Sequence, residues 1–350
     1  MKTKIKARYL PYGALPYDDI KLLTHMMAKL FPQFPYLPIL PNLSGKDTLV
    51  YRTLCNMPGV ILKQNEITIK AGTDEYDKDM SYLDKCFNSP KSCDFERYTF
   101  SSPFLEKYLH IIKKFKSHNA CINFLGPFTI SQLLMNVAKE QMLVDKSFKK
   151  LFVQAVCVKA LWIIKKIKEY CHTTVPVVIL EEPMLGQLST IKREDENITN
   201  EFVTNIIAEV AEKLHKAGAL VGVQCMEKCD WTIPINAGVD IISFDAYNNP
   251  NNINIISEQI KDFLHKGGKI NWGIVPSSSE KIIKGLSLEY TTDRFEKTIE
   301  GLSELKVPIN LIYKSALVSV NNNTENLPIL FAEKALIITT QLASKLAIRS

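Results

Sequence analysis

Two cysteines four residues apart, Cys225 and Cys229, flank Glu227 just after an apolar run, and Asp245 closes the next apolar run. Two thiolates with a carboxylate on the neighbouring strand would make a thiolate–carboxylate zinc set. Against that chemistry, C-x-x-x-C is not a zinc-knuckle spacing, and neither His172 nor His215 falls in phase with it. Cys225, Cys229 and Asp245 therefore stand only as substitute ligands, beside a plainer reading in which Asp230-Trp231 starts a helix next to an inert thiol. A second acidic position, Glu181-Glu182-Pro183, ends the β-branched run at 175–180. An acid flush with a buried strand needs a partner, so Glu182 and Asp245 are candidates for function as much as for capping. The Ser and Asn clusters at 276–279 and 319–323 read mainly as turns and caps. The chain has no HExxH helix, EF-hand loop, P-loop or Ser-His-Asp order.

These positions matter because of the elements that would carry them. Strand-like runs at 175–180, 219–223, 239–244, 269–275 and 309–320 alternate with helical patterns. In one of those patterns Phe202, Val203, Ile206, Ile207, Val210 and Leu214 recur at helical spacing, with Gly218 as a stop. The first half offers strands at 6–10 and 120–125. Residues 42–100 contain a hairpin, 60–63 with 67–69 around Asn65-Glu66, within polar loop. Assigning one strand to that stretch gives eight strand–helix units. The expectation is an α/β fold, a single (β/α)8 TIM barrel over 1–350 with an elaborated N-terminal region at roughly 42–100. An open doubly wound sheet is the alternative, disfavoured because no strand is followed by G-x-G-x-x-G. In a barrel the chemistry sits at the C-terminal strand ends, where all the acids and thiols above fall.

Composition narrows the classes. The 350 residues are 46% hydrophobic and 23% charged, too apolar for disorder, and no uncharged run is long enough to span a membrane. Net charge is +6, but only six residues are arginine. Lysine is a poor substitute for arginine in bidentate phosphate and base recognition, which argues against nucleic acid. The N-terminus has no apolar signal core, and eight scattered cysteines read as reduced thiols of a cytoplasmic protein.

Read in order, the strand ends form a recognisable series. It comprises Gly13-Ala14-Leu15-Pro16-Tyr17, Phe31-Pro-Gln-Phe-Pro-Tyr-Leu-Pro38, Met57-Pro-Gly-Val60, Gly126-Pro-Phe-Thr129, Glu181-Glu-Pro183, Asp230-Trp231, Ala237-Gly-Val-Asp240, Ser243-Phe-Asp-Ala-Tyr247 and Trp272-Gly-Ile-Val-Pro276. In these motifs the chain resembles the catalytic C-terminal barrel of cobalamin-independent methionine synthase and its shorter stand-alone relatives. More distantly it is similar to uroporphyrinogen decarboxylase. The resemblance implies methyl transfer to a zinc-held thiolate, but the family's His-x-Cys falls on Gln224 and Met226, its acid on Asp245, and its last cysteine on a segment, 315–323, that has none. Glutamine and thioether are poor zinc ligands. No cofactor is therefore expected, and stoichiometric zinc at Gln224, Met226 and Asp245 is expected to be absent. The family's Ile-Gly-Ser loop reads Tyr12-Gly13-Ala14, and its Asp-Glu-Pro reads Glu181-Glu182-Pro183.

The resemblance thus implies a divergent methyltransferase acting on a small thiol- or amine-bearing substrate. Asp245 and Cys225 would be catalytic, and Gly13, Ala14, Glu182 and Gln224 would bind substrate. Glu182 would line an open pocket and meet a cationic group. The methyl donor would be a folate or a corrinoid protein, with no membrane or nucleic-acid partner. The alternatives are a non-catalytic ligand-binding or regulatory paralogue, and an enzyme like uroporphyrinogen decarboxylase. The latter is disfavoured by the missing Phe-Ser-Asp signature and by too few arginines to grip a polycarboxylate.

Overall fold

Short β-branched runs bounded by polar turns give eight regular strands among the described residues, six of them in one sheet. A computed structural model describes residues 5–63, 66–70, 72–138 and 146–349. The first two strands, β1 (Val60–Lys63) and β2 (Glu66–Ile69), pair only with each other, antiparallel. This is the hairpin read from the sequence, with its turn residues Gln64 and Asn65 lying outside the described residues. The other six are β3 (Asn119–Leu125), β4 (Val175–Glu181), β5 (Leu220–Gln224), β6 (Ile241–Phe244), β7 (Lys269–Val275) and β8 (Ala316–Val320). They pair parallel in chain order as a curled half-barrel with helices between successive strands.

Eight regular sheet strands are therefore not observed. The run at 6–10 makes a single parallel bridge, Tyr9 to Val318, and no strand from 42–100 joins the sheet. Beside β3 runs the proline-rich segment 33–39, bridged at Tyr36 to Cys121 and at Ile39 to Ala14. Its backbone bonds are real: Leu37 N donates to Cys121 O at 3.1 Å and Cys121 N to Pro35 O at 2.8 Å. Pro35, Pro38 and Pro41 have no N–H to give, so the ladder cannot extend. The run at 309–320 is also split. Residues Ile309–Ser315 form a helix behind Pro308, and only Ala316–Val320 is strand. An unbroken apolar run does not by itself distinguish the two.

Six helices carry the N-terminal half: α1 (Ile20–Leu30), α2 (Leu49–Leu54), α3 (Asp74–Asn88), α4 (Leu105–Phe115), α5 (Pro127–Ala138) and α6 (Lys146–Tyr170). Asp19, Thr48 and Thr73 cap α1, α2 and α3 by accepting first-turn N–H bonds. In the second half, the helix Asn200–Lys216 buries Val203, Ile206, Ile207, Val210 and Leu214, the face its periodicity predicts. One continuous apolar core reaches from Ile5 to Leu346.

The 42–100 insertion is fastened to this core by buried charge. Arg52 of α2 donates Nη1 to Leu37 O at 2.9 Å and Nη2 to Pro38 O at 2.7 Å, with Asp47 3.7 Å away. Lys159 of α6, fully buried, donates to Cys55 O at 2.5 Å and Thr99 O at 3.2 Å, and burial lowers its pKa. Among the described residues no helix is long and apolar enough to cross a membrane.

One cysteine expectation is corrected. Cys86, in the last turn of α3, is disulfide-bonded to Cys93, with Cα atoms 4.9 Å apart. The chain folds back through the short turn Pro90–Ser92, so a seven-residue separation suffices. Thiol titration of the denatured, unreduced protein should count six cysteines, rising to eight after reduction. Eight before reduction would show that the pair is open.

Candidate functional site

The C-terminal ends of β3 and β4 open into a cavity of about 350 Å3, walled on the other side by residues 13–14, 37–52 and 323–326. Glu181, the last residue of β4, lines it. Side chains alternate along a strand, so Glu181 faces the concave side with Val177 and Ile179, and Glu182 faces away from it. Glu181 Oε1 accepts from Asn123 Nδ2 at 2.7 Å, and the side chain is half-buried. Burial raises the Glu181 pKa, opposed by Asn123 and by the Arg52 guanidinium. Arg52, Asp47 and Glu325 complete the charged lining.

Glu182 is not open to this cavity, contrary to expectation. It is fully buried, and Oε1 accepts from Phe128 N at 3.0 Å. Its Oε2 accepts from Thr129 N at 2.7 Å and Thr129 Oγ1 at 2.6 Å. The carboxylate therefore supplies the N-terminal cap that α5 lacks in its own sequence. Gly126 makes the contact possible, since a Cβ there would lie 2.1 Å from Glu182 Oε1. Burial pushes the Glu182 pKa up to about 7, against the pull of the three donors.

Gly13 and Ala14 do line the cavity, yet the Ala14 N–H is taken. It donates to Asn323 Oδ1 at 3.0 Å, while Thr324 N returns a bond to Ala14 O at 3.0 Å. Gly13 has φ of +98°, and a Cβ there would sit 2.8 Å from Asn323 Oδ1. An amide oxygen of the chain itself thus occupies the donor that a ligand carboxylate would use.

The remaining candidates lie deeper or elsewhere on the rim, and none lines this cavity. Gln224 is buried, accepting from Ser243 Oγ at 3.5 Å. Ser243 and Ser319 each accept from Asn271 Nδ2 at 2.8 Å, so a polar layer crosses the concave face. Asp245 Oδ1 accepts from Asn248 N at 2.9 Å and Asn321 Nδ2 at 3.2 Å, and Oδ2 from Asn248 Nδ2 at 2.6 Å. Cys225 is buried, donating to Glu227 O at 3.6 Å, and a hydrogen bond from Cys229 lowers its pKa. Met226, at the position of the resembled family's cysteine ligand, takes a 3.8 Å contact from Tyr12 Oη at its sulfur. Among the described residues no three His, Cys, Asp or Glu side chains gather as metal ligands, so Cys225, Cys229 and Asp245 do not assemble a substitute site.

Sequence reasoning missed Glu181, Asn123, Arg52, Asn323 and Glu325 as a group. The first two were within reach, because both fall on the inward parity of their strands. Arg52 sits on the short helix α2, and Asn323 and Glu325 come from the loop after β8, without strand or helix pattern. No protein-family model matches the chain, and no curated protein matches it.

Glu182→Gln should cost about 1–3 kcal/mol, since an amide turns N–H groups toward donors. The pH dependence of that difference isolates the carboxyl. Its folded pKa of about 7 lies above the ordinary 4.5, so the native state binds the proton more tightly. Wild-type stability relative to the variant should therefore fall as pH rises from 4.5 to 7 and level off above. Urea denaturation of both proteins across that range tests this, and a difference that grows with pH would refute the assignment.

Proposed function

We propose that this chain is a methionine-synthase-like (β/α)8 barrel of one domain that binds a small amine at its mouth, with Glu181 as the counter-charge. The reading rests chiefly on the half-buried Glu181 carboxylate, which lines the cavity and, among the described residues, has one oxygen bonded, by a neutral side chain. Two features support the barrel. The bridges at Tyr9, Ala14 and Tyr36 join β8 to β3 through two further segments, and the motif order along the chain resembles that family. The ligand is an amine or aminothiol without an α-carboxylate, because Asn323 already fills the Ala14 N–H. The zinc of the resembled family is absent from this reading, and Tyr12 packs its phenol on Met226 in that place. Six cysteines are unbonded, four of them buried, and a reducing cytoplasmic setting goes with the proposal, Cys86–Cys93 excepted.

Calorimetric titration with cysteamine, homocysteine and methionine, on wild type and Glu181→Gln, tests the assignment. Cysteamine should bind more tightly than homocysteine, and the variant should lose about tenfold or more in affinity, as one charge-assisted hydrogen bond implies. Affinity should fall as pH drops through the raised pKa of Glu181, because protonation removes the charge that the ammonium meets. Equal binding by both proteins would make Glu181 structural and defeat the reading.

Methyl transfer is a second reading, favoured by Cys225, whose thiol is eased toward thiolate by the hydrogen bond from Cys229. In that reading the Cys225 thiol, buried beside the rim, would lose its proton and take the methyl of a folate or corrinoid-protein donor, releasing the demethylated donor. Intact-mass analysis after incubation with a methylated folate should show one added methyl, absent in Cys225→Ser. An unchanged mass with both folate and corrinoid donors would leave the binding role alone.

A further inference from the structure

The opposite end of the sheet carries a second cavity, of about 570 Å3. It lies between the N-terminal segment, the last turn of α1 and the C-terminal half of the terminal helix Ile329–Ile348. Among the described residues Lys6, Arg8, Lys29 and His118 line it, and no carboxylate does. Among the described residues none of the four belongs to an ion pair. Lys29 has a local reason to be there, since a cation in the last turn complements the α1 dipole. Lys6 and Arg8 precede every helix, and His118 follows α4 on the way into β3. Arg8 Nη1 donates to Tyr313 O at 3.2 Å and Lys314 O at 2.6 Å, which fixes the guanidinium in place without neutralising it. Burial lowers the Arg8 pKa, the direction expected of a cation lacking an anionic partner.

We infer that this cavity binds a small phosphate-bearing anion. The basic side chains approach from three separate segments: 6–8, the end of α1, and the residue before β3. Ammonium and imidazole groups are point donors, which suit the several outward oxygens of a tetrahedral phosphate. A planar carboxylate matches best the bidentate fork of an arginine, and here Arg8 Nη1 is already bonded to carbonyls. Nucleic acid would call for an extended basic stripe, whereas these charges converge on one concavity beside the Tyr9 ring. The inference is independent of the amine reading at the mouth.

Titration calorimetry of the full chain with inorganic pyrophosphate at low salt tests it, with a single-stranded oligonucleotide as a separate arm. The cavity variant is Lys6→Ala/Lys29→Ala. A charge-matched control is Lys281→Ala/Lys297→Ala, two exposed lysines that do not line the cavity. All four side chains are exposed, so each variant is expected to fold. Pyrophosphate should bind the wild type at one site. The cavity variant should lose about tenfold or more, and the control about twofold at most. No binding to wild type, or equal loss in both variants, would overturn the site. Oligonucleotide binding that pyrophosphate fails to displace would overturn it in favour of a nucleic-acid surface.

Discussion

The mouth of this fold depends on one buried carboxylate. Glu182, the residue after its strand, reaches across to the start of α5, where three donors of Phe128 and Thr129 converge on it. The first N–H groups of a helix have no intrahelical partner, and buried ones must find an acceptor. Supplying it from β4 locks the strand to the helix that follows its neighbour β3. The lock sets the backbone at 181–182, and alternation then turns Glu181 into the cavity. Gly126 belongs to the same constraint, because no side chain fits between the backbone and that carboxylate. The Gly126-Pro127-Phe128-Thr129 and Glu181-Glu182-Pro183 motifs are thus two halves of one joint.

A second constraint comes from proline. Segments 8–16 and 33–41 lie where further strands would extend the sheet, yet Pro11, Pro16, Pro35, Pro38 and Pro41 interrupt their donors. Carbonyls that a neighbouring strand would have satisfied are left for other groups. Arg52 takes two of them, Leu37 O and Pro38 O, and Thr53 Oγ1 accepts from Leu125 N at 3.0 Å. The short helix α2 therefore acts as a side-chain substitute for sheet pairing. This explains why a buried guanidinium belongs there, and why the 42–100 insertion packs against the mouth. Glu181 feels that same guanidinium.

The parts of the fold that follow a period were legible in the sequence. The strands read at 120–125, 175–180, 219–223, 239–244 and 269–275 lie within two residues of β3 through β7. The run at 6–10 was read as a strand and makes one bridge, but segment 33–39 was not legible, because a proline-broken strand has neither alternation nor a β-branched run to announce it. The site was legible only in part. That an acid at 181–182 mattered followed from its place after a buried run, but choosing between neighbours required knowing which one ended the strand. Asn323 was visible only as part of the 319–323 cluster read as turn and cap. Its amide meets Ala14 across a separation of 309 residues, and nothing local distinguishes it from Asn321 or Asn322.

The polarity of the helices bears on both cavities. Helices in this fold run opposite to the parallel strands, so α5 starts at the mouth, while α1 ends at the other side. N-terminal ends carry partial positive charge and C-terminal ends partial negative charge. Acids at the mouth and bases at the far end are thus each placed with the sign that the helix ends prefer. For Glu182 this preference is fully expressed as direct hydrogen bonds. Glu181 and Glu325 receive no such bond from a helix end, and neither do Lys6 and His118 at the other side. What the helix ends leave uncompensated is therefore concentrated in the two cavities, negative at the mouth and positive beneath. Opposite lining charges at the two ends follow from the direction of the chain as much as from the individual residues.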